Sequence, residues 1–521
     1  MAFFADQPLG YHVANLVLHI GSGILVWRLF HLLGLRWGWL GGALFVVHPL
    51  SVESVAWVSE VKNALSLPIL LLALIAYLEF DRNKKEPLYV ASIVLYVAAM
   101  LSKTSVVMLP ALVLLYYWWK KARITGSDLR RTAPFFLIAL VLGFITIHMQ
   151  TPEVASDVLK PRSPLDIFLC AGQAIFFYLG HFLFPIHLIP IYPRWTFEPP
   201  TALQLLTWPV LLLFLVCLYL QKAWGRHVLF GVGFFLLFLL PVLGFVHFTY
   251  MTISWVADHF VYLPIIGLIG LTVAGLEYLY SRIRLVERRL LLSFVGVLLI
   301  GLMFESHGYS RVFADEETLW NTILERDPMN QTAYNNLGLI KMTSGNPLAA
   351  IPLFEKALQI DPDFYNAHSN LGTVLIATGD NVGGLRELRE AVRIKPDYAV
   401  THYNLGTFLQ QCRQLPEAIE QLEIAVKISP DYADAQDNLG LALYQSGQAA
   451  EAIPHFRAAL QVNPRDINAH YYLGLCLIEV KQIDEGTREF EAILRIDPNS
   501  AAAQKMLEKI REFETSHPAT N

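Results

Sequence analysis

Leu-Gly recurs at 337, 371, 405, 439 and 473, and each interval is 34 residues. Pro328, Pro362, Pro396, Pro430, Pro464 and Pro498 keep the same step. No other feature narrows the available folds as much. A repeat of this length is one supersecondary unit that cannot bury its apolar face alone, so its neighbours must stack on it. Gly338 and its equivalents let the two helices of a unit touch, with Ala357, Ala391, Ala425 and Ala459 expected as small partners on the second helix. The fifth unit departs, with Ala492 one place early and Ile493 in the small position. Proline ends each second helix because it has no N–H for the next hydrogen bond.

A helix-turn-helix unit of 34 residues with this pattern is the tetratricopeptide-repeat signature. The spacing gives five full units over 331–500, preceded by a linker and half repeat over 306–330 that contains Glu316-Glu317-Thr318-Leu319-Trp320. Residues 501–521 read as a polar capping helix and tail. Asn336, Asn370, Asn404 and Asn438 stand just before the glycine motif on successive first helices, and Tyr472 breaks the series. First helices line the concave face. An amide there can donate to and accept from the backbone of an extended polypeptide. The other reading is that each Asn bonds only the neighbouring repeat.

Residues 1–305 have a different character. They carry 21 Lys+Arg and 15 Asp+Glu, net +6, whereas 306–521 carry 18 and 29, net −11. The step near Glu305 marks a domain boundary, and the basic half reads as loops on an anionic leaflet rather than a nucleic-acid surface. Apolar stretches fall at 11–33, 37–48, 64–80, 88–102, 104–119, 133–150, 166–184, 203–220, 228–248, 260–280 and 290–305. The expectation is an all-α chain: a polytopic membrane domain over 1–305 with about ten spans, then an α-solenoid.

Loops 34–36, 81–87, 120–131, 221–227 and 281–289 hold 15 Lys+Arg. The opposite side holds five, Lys62, Lys103, Lys160, Arg162 and Arg194. The positive-inside rule then puts the first set in the cytoplasm and the repeats on the non-cytoplasmic side. This works only if 166–184, with Gly172, Gln173, Gly180 and His181, lies along the surface or re-enters. The four cysteines, Cys170, Cys217, Cys412 and Cys476, have no metal-ligand spacing and read as free thiols.

With that topology the outer face gathers His12, His48, Glu53, Glu60, Lys62, Lys103, Arg194, Asp258 and His259, with Asn15 and His19 deeper on the first helix. Ionisable groups at membrane depth face a wet cavity or one another. Lys62, Lys103, Arg194 and His259 suit a lipid-borne phosphate. Glu53 and Asp258 suit activation of a hydroxyl, or a divalent ion. Against this stand interhelical hydrogen bonds for His12, Asn15 and His19, snorkelling for Lys62 and Lys103, and a local ion pair for Asp258-His259.

Several segments together resemble the bacterial relatives of the transmembrane and tetratricopeptide-repeat O-mannosyltransferases, which have the GT-C membrane fold. They are Gly10-Tyr11-His12-Val13-Ala14-Asn15-Leu16-Val17-Leu18-His19, His48-Pro49-Leu50-Ser51-Val52-Glu53-Ser54-Val55-Ala56-Trp57, Ser59-Glu60-Val61-Lys62-Asn63, Leu101-Ser102-Lys103, Ile191-Tyr192-Pro193 and Ala257-Asp258-His259-Phe260-Val261-Tyr262-Leu263-Pro264. The resemblance implies inverting transfer of a mannose-type sugar from a polyprenyl-phosphate donor to polypeptide, in a bacterial inner membrane or its equivalent. Two departures weigh on it. The family has arginine where His259 stands, which implies a weaker or pH-dependent phosphate contact. Such proteins also begin with one more helix and an outer loop bearing the acidic catalytic motif. This sequence starts beyond that point, and Asp6 is not in the matching place, so the expectation includes a chain that is truncated or inactive. The rival expectation is a non-enzymatic, membrane-anchored repeat scaffold. No α/β nucleotide-binding pattern is present to support a soluble sugar-nucleotide transferase.

Overall fold

The computed structural model describes residues 8–154, 163–197, 199–221, 223–246 and 249–516, and every regular element among them is helical. Asp6, Lys160, Arg162 and Lys222 lie outside the described residues. The chain divides into two compact units, Met1–Pro328 and Met329–Asn521.

The first unit contains α1 (Pro8–Leu32), α2 (Gly38–Val47), α3 (Val52–Ala56), α4 (Val61–Asn83), α5 (Glu86–Ser102), α6 (Leu109–Lys121), α7 (Gly126–Val154), α8 (Pro164–Leu183), α9 (Ala202–Leu220), α10 (Gly225–Leu239), α11 (Ile265–Arg282), α12 (Leu285–Ser310) and α13 (Glu316–Arg326). Polar residues set the helix ends. Ser163 and Thr201 form capping boxes with Asp166 and Gln204 at the starts of α8 and α9. Asp315 accepts from the Thr318 N–H at 2.7 Å to start α13. Lys84 and Ala122 turn left-handed to end α4 and α6.

Seven described helices are long and apolar enough to cross a bilayer, or eight if the bent pair α2 and α3 counts as one span. That number rests on length and composition alone, and the shorter apolar helix α5 stands outside it. A helix of 13 residues such as α6 reaches only about 20 Å at 1.5 Å per residue, short of a ~30 Å hydrocarbon core. The stretch 166–184 forms most of α8, one continuous helix of 20 residues that is among the seven by length and composition. Part of its polar character is met by neighbouring residues. A Cβ on Gly172 would meet Thr207 and Trp208 of α9, and Gln173 bonds Gln204. His181 bonds the Phe177 carbonyl of its own helix.

One apolar core runs through the unit from Val26 to Tyr309. The outward faces are apolar too: Leu140, Phe144, Leu212 and Phe304 are each more than 60% exposed. Such a surface suits hydrocarbon and not water. Where α1 and α2 meet, a Cβ on Gly42 would stand 2.5 Å from the Gly23 carbonyl oxygen.

The second unit pairs α14 (Gln331–Thr343) with α15 (Pro347–Ile360), α16 (Tyr365–Ala377) with α17 (Asn381–Ile394), and α18 (Ala399–Gln411) with α19 (Leu415–Ile428). It continues with α20 (Ala433–Gln445) and α21 (Ala449–Val462), then α22 (Ile467–Glu479) and α23 (Ile483–Ile496), and ends on α24 (Ala501–Ser516). The repeat glycines are opposed by large side chains, not by the alanine series. Gly338, Gly372, Gly406, Gly440 and Gly474 face Phe354, Leu388, Leu422, Phe456 and Phe490. Ala357, Ala391, Ala425 and Ala459 are buried elsewhere along the second helices. Four of the prolines also have a second use. The first-helix residues His368, His402, Gln436 and His470 donate to the carbonyls of Pro362, Pro396, Pro430 and Pro464 at 2.9, 3.0, 2.9 and 3.2 Å. The same side chains bond Glu387, Gln421, His455 and Glu489 on the second helices.

Candidate functional site

His48 and Pro49 break the second apolar stretch, and the chain bends by 63° between α2 and α3. The bend turns Glu53 inward, where it is fully buried. Its Oε2 accepts the His259 backbone N–H at 2.9 Å, and its Oε1 lies 2.7 Å from His259 Nδ1. Asp258, also fully buried, points elsewhere. Its two oxygens accept the hydroxyls of Tyr192 and Tyr309, each at 3.0 Å. The Tyr178 hydroxyl donates to the Ala257 carbonyl and accepts the Ala257 N–H, both at 3.0 Å. The 257–259 turn is thus fixed from α3, α8, the 190s loop and α12.

Both carboxylates brace the turn through these bonds. Burial, reinforced by Glu53, pushes Asp258 well above the usual carboxylate range. Burial likewise pushes the His259 imidazole down to about 3. Among the described residues no three His, Cys, Asp or Glu side chains are grouped to hold a metal.

The cations separate. Lys103 donates to Asn63 Oδ1, Asn63 donates to Glu60 Oε2 at 2.5 Å, and Lys62 lies 3.7 Å from Glu60 Oε1. Burial lowers Lys103 to about 8, against the pull of Glu60. Asn63, Lys103, Ser105 and His259 border a cavity of about 20 Å³, room for about one water. Arg194 does not line it. Its guanidinium stacks over Trp255 at 5.2 Å.

The polar face of α1 takes the interhelical reading. Asn15 donates to the Val55 carbonyl at 3.2 Å. His19 bonds the Tyr262 hydroxyl at 2.9 Å and the Val46 carbonyl at 3.1 Å. His12 is half-buried and lines no part of the small cavity. His48 is also structural, bonded to the Phe182 carbonyl at 3.2 Å and stacked on its ring.

On the repeats, each of the four amides donates one bond within the solenoid. Asn370 donates to Asn335, Asn404 to Ser369 and Asn438 to Thr407, at 2.9, 2.8 and 3.0 Å. Asn336 donates to the Thr332 carbonyl of its own helix. Three of the four thus join consecutive first helices, and each amide keeps a second N–H.

Sequence reasoning missed Asn63, Tyr178, Tyr192, Tyr309 and Tyr262 as site residues. Asn63 had a usable signal, since it sits in the same polar run as Glu60 and Lys62. Tyr178 and Tyr309 come from α8 and α12 and Tyr192 from the 190s loop, so no spacing connects them to the turn. The repeat face also holds a group with no periodic signature: Asp437, raised to about 6 by burial and by Asp466 and Asp434.

Tetratricopeptide-repeat family models match residues 341–384 with 443–510, and 397–465. The protein O-mannosyl-transferase Tmtc1 of Drosophila melanogaster is 36% identical over 102 residues, which is 19% of this chain. That stretch spans 12% of the relative's length. Among solved structures, YrrB, titled a TPR protein with an unusual peptide-binding site, is 20% identical and covers 36% of this chain and 97% of its own, with a TM-score of 0.32. MamA is 26% identical over 32% of this chain and 96% of its own, at 0.29. PilF of Pseudomonas aeruginosa is 22% identical over 38% and 95%, at 0.32. The chain carries tetratricopeptide repeats within 341–510, beside an apolar helical first unit, and is similar over 19% of its length to an O-mannosyl-transferase.

Proposed function

We propose that the protein is a membrane glycosyltransferase-like protein. It would move a mannose-type sugar from a polyprenyl-phosphate carrier onto polypeptide held by the repeats on the same side of the membrane. The observation that carries this reading is the Lys103–Asn63–Glu60–Lys62 cluster beside the 257–259 turn. The partial similarity to Tmtc1 supports it. In the reaction the acceptor hydroxyl attacks the anomeric carbon, the bond to the carrier phosphate breaks, and the phosphate oxygen leaves with the electron pair and takes up the hydroxyl's proton. Lys62 and Lys103 neutralise that oxygen. A cavity sized for one water must widen for this, with the phosphate taking over the Asn63 contact of Lys103.

The test is transfer from labelled polyprenyl-phosphate mannose to peptide by membranes containing the full chain. Transfer above vector-only membranes, reduced about a hundred-fold by Lys103→Ala, supports the reading. Transfer equal to vector-only membranes ends it.

One observation favours a second reading, a non-enzymatic membrane-anchored scaffold: Glu53 and Asp258 both have their oxygens committed to structural bonds. Repeats of this kind commonly bind protein. In that case Lys62→Ala and Lys103→Ala leave partner capture and phenotype intact, while disruption of the repeats abolishes both.

A further inference from the structure

A much larger cavity, about 790 Å³, lies in the first unit. It is walled by Leu29, Leu74, Leu112, Phe234 and Leu271. The cavity reaches Leu29 of α1, Leu78 of α4, Trp119 of α6 and Tyr278 of α11, toward the C-terminal ends of those helices, whereas Asn15 and Asn63 sit near the N-terminal ends of α1 and α4. The volume falls in the ~300–1,000 Å³ range of small-ligand pockets.

Its border is amphipathic and basic. Tyr116, Trp119, His227 and Tyr278 line it, and Trp119 donates to His227 Nδ1 at 2.9 Å. Lys120 bonds the Tyr116 hydroxyl at 2.9 Å. The Arg282 guanidinium lies 5.3 Å over the Tyr278 ring. Tryptophan, tyrosine and basic residues together mark the headgroup level of a membrane protein. The nearby acids are already engaged. Asp81 pairs with Lys84 and Lys120, and Glu277 accepts the backbone N–H groups of Arg36 and Trp37.

Walls this apolar do not retain water, and the bilayer supplies the alternative filling. A lipid tail gains little by leaving other tails for an equally apolar cavity. Any selection must therefore act on the headgroup, where Lys120 and Arg282 stand. We propose that this cavity holds one acyl chain of an anionic phospholipid, with its phosphate at Lys120 and Arg282. The proposal rests on the first unit lying in a membrane and is independent of sugar transfer.

Gly275 supplies the test. It lines the cavity, and a Cβ there meets nothing within 4 Å, so Gly275→Leu fills the space without a backbone clash. The full chain, purified in a neutral detergent, is equilibrated with phosphatidylglycerol or phosphatidylcholine and examined by native mass spectrometry. Wild type retains phosphatidylglycerol in preference. Gly275→Leu lowers retention about ten-fold with an unchanged unfolding temperature. Arg282→Gln reduces the preference for the anionic lipid about five-fold. Glycerol phosphate, which has no tail, does not compete. If Gly275→Leu fails to fold, Ala274→Leu makes the same measurement. Equal retention by the filled variant and wild type overturns the proposal, as does the absence of a headgroup preference. Preferential retention of polyprenyl phosphate also overturns it, assigning the cavity to the carrier.

Discussion

The Glu53 carboxylate holds His259 at two points, the backbone N–H at 2.9 Å and ring Nδ1 at 2.7 Å, across 206 residues of sequence. Both residues are buried, so removing the acid leaves two polar groups without partners in an apolar interior. Glu53→Ala is expected to cost about 3 kcal/mol. Glu53→Gln costs less, since its carbonyl still accepts one of the two bonds. Denaturant unfolding of the full chain in micelles measures both. An alanine variant within ~0.5 kcal/mol of wild type would show that the pair does not brace the turn.

Lys103 gives the proposed phosphate contact a pH limit. Burial lowers its pKa to about 8, so its charge disappears earlier than that of an exposed lysine. Binding of a polyprenyl phosphate, followed by tryptophan fluorescence, should weaken as pH rises through about 8. An anion in place raises that midpoint by favouring the charged form. Lys103→Arg should carry binding to higher pH, because the guanidinium stays protonated. A flat profile between pH 7 and 10 in wild type removes Lys103 from the contact.

Asp437 sets a slope in the stability of the repeats. Its Oδ1 is buried with no hydrogen-bond partner, and its pKa is raised from 3.8 to about 6. The folded state therefore holds the proton more tightly than the unfolded state does. The resulting stabilisation is complete below pH ~4 and is lost as pH rises through about 6. Asp437→Asn removes this slope. After allowance for partial solvent screening, it should gain about 1–2 kcal/mol at pH 7. Hydrogen exchange of α20 and α22 in the full chain reads the change. Protection that rises with pH in wild type contradicts the sign.

Legibility followed the kind of signal each residue carries. The repeats were readable because a 34-residue step is written in small and helix-ending residues that the backbone itself requires. The partner of each repeat glycine was misassigned. Periodicity locates a position but not the direction of its side chain, and the side chains that fill the space are Phe354, Leu388 and their equivalents. At the 257–259 turn, Asp258 and His259 were visible as buried polar groups, but their partners were not. Tyr192 and Tyr309 come from separate elements, and no spacing rule connects them. The contacts of α8 were hidden in the same way: Gly172 and Gln173 meet Thr207, Trp208 and Gln204 of α9, which leave no mark in the sequence of α8.

The inter-repeat amides yield a sharp test because each bond joins two side chains about one repeat apart. Asn404 Nδ2 donates to Ser369 Oγ at 2.8 Å, and Ser369 is itself buried. Asn404→Ala and Ser369→Ala should each destabilise the repeats by about 1 kcal/mol. Once one partner is gone, removing the other forfeits no further bond, so the double variant should cost clearly less than the sum. A coupling of about 0.5–1.5 kcal/mol is expected from the cycle. Strict additivity would place the amide donor elsewhere and restore the view that it faces a polypeptide. With coupling present, peptide affinity must come from other side chains of the first helices, and Asn404→Ala should then leave peptide binding within about two-fold of wild type.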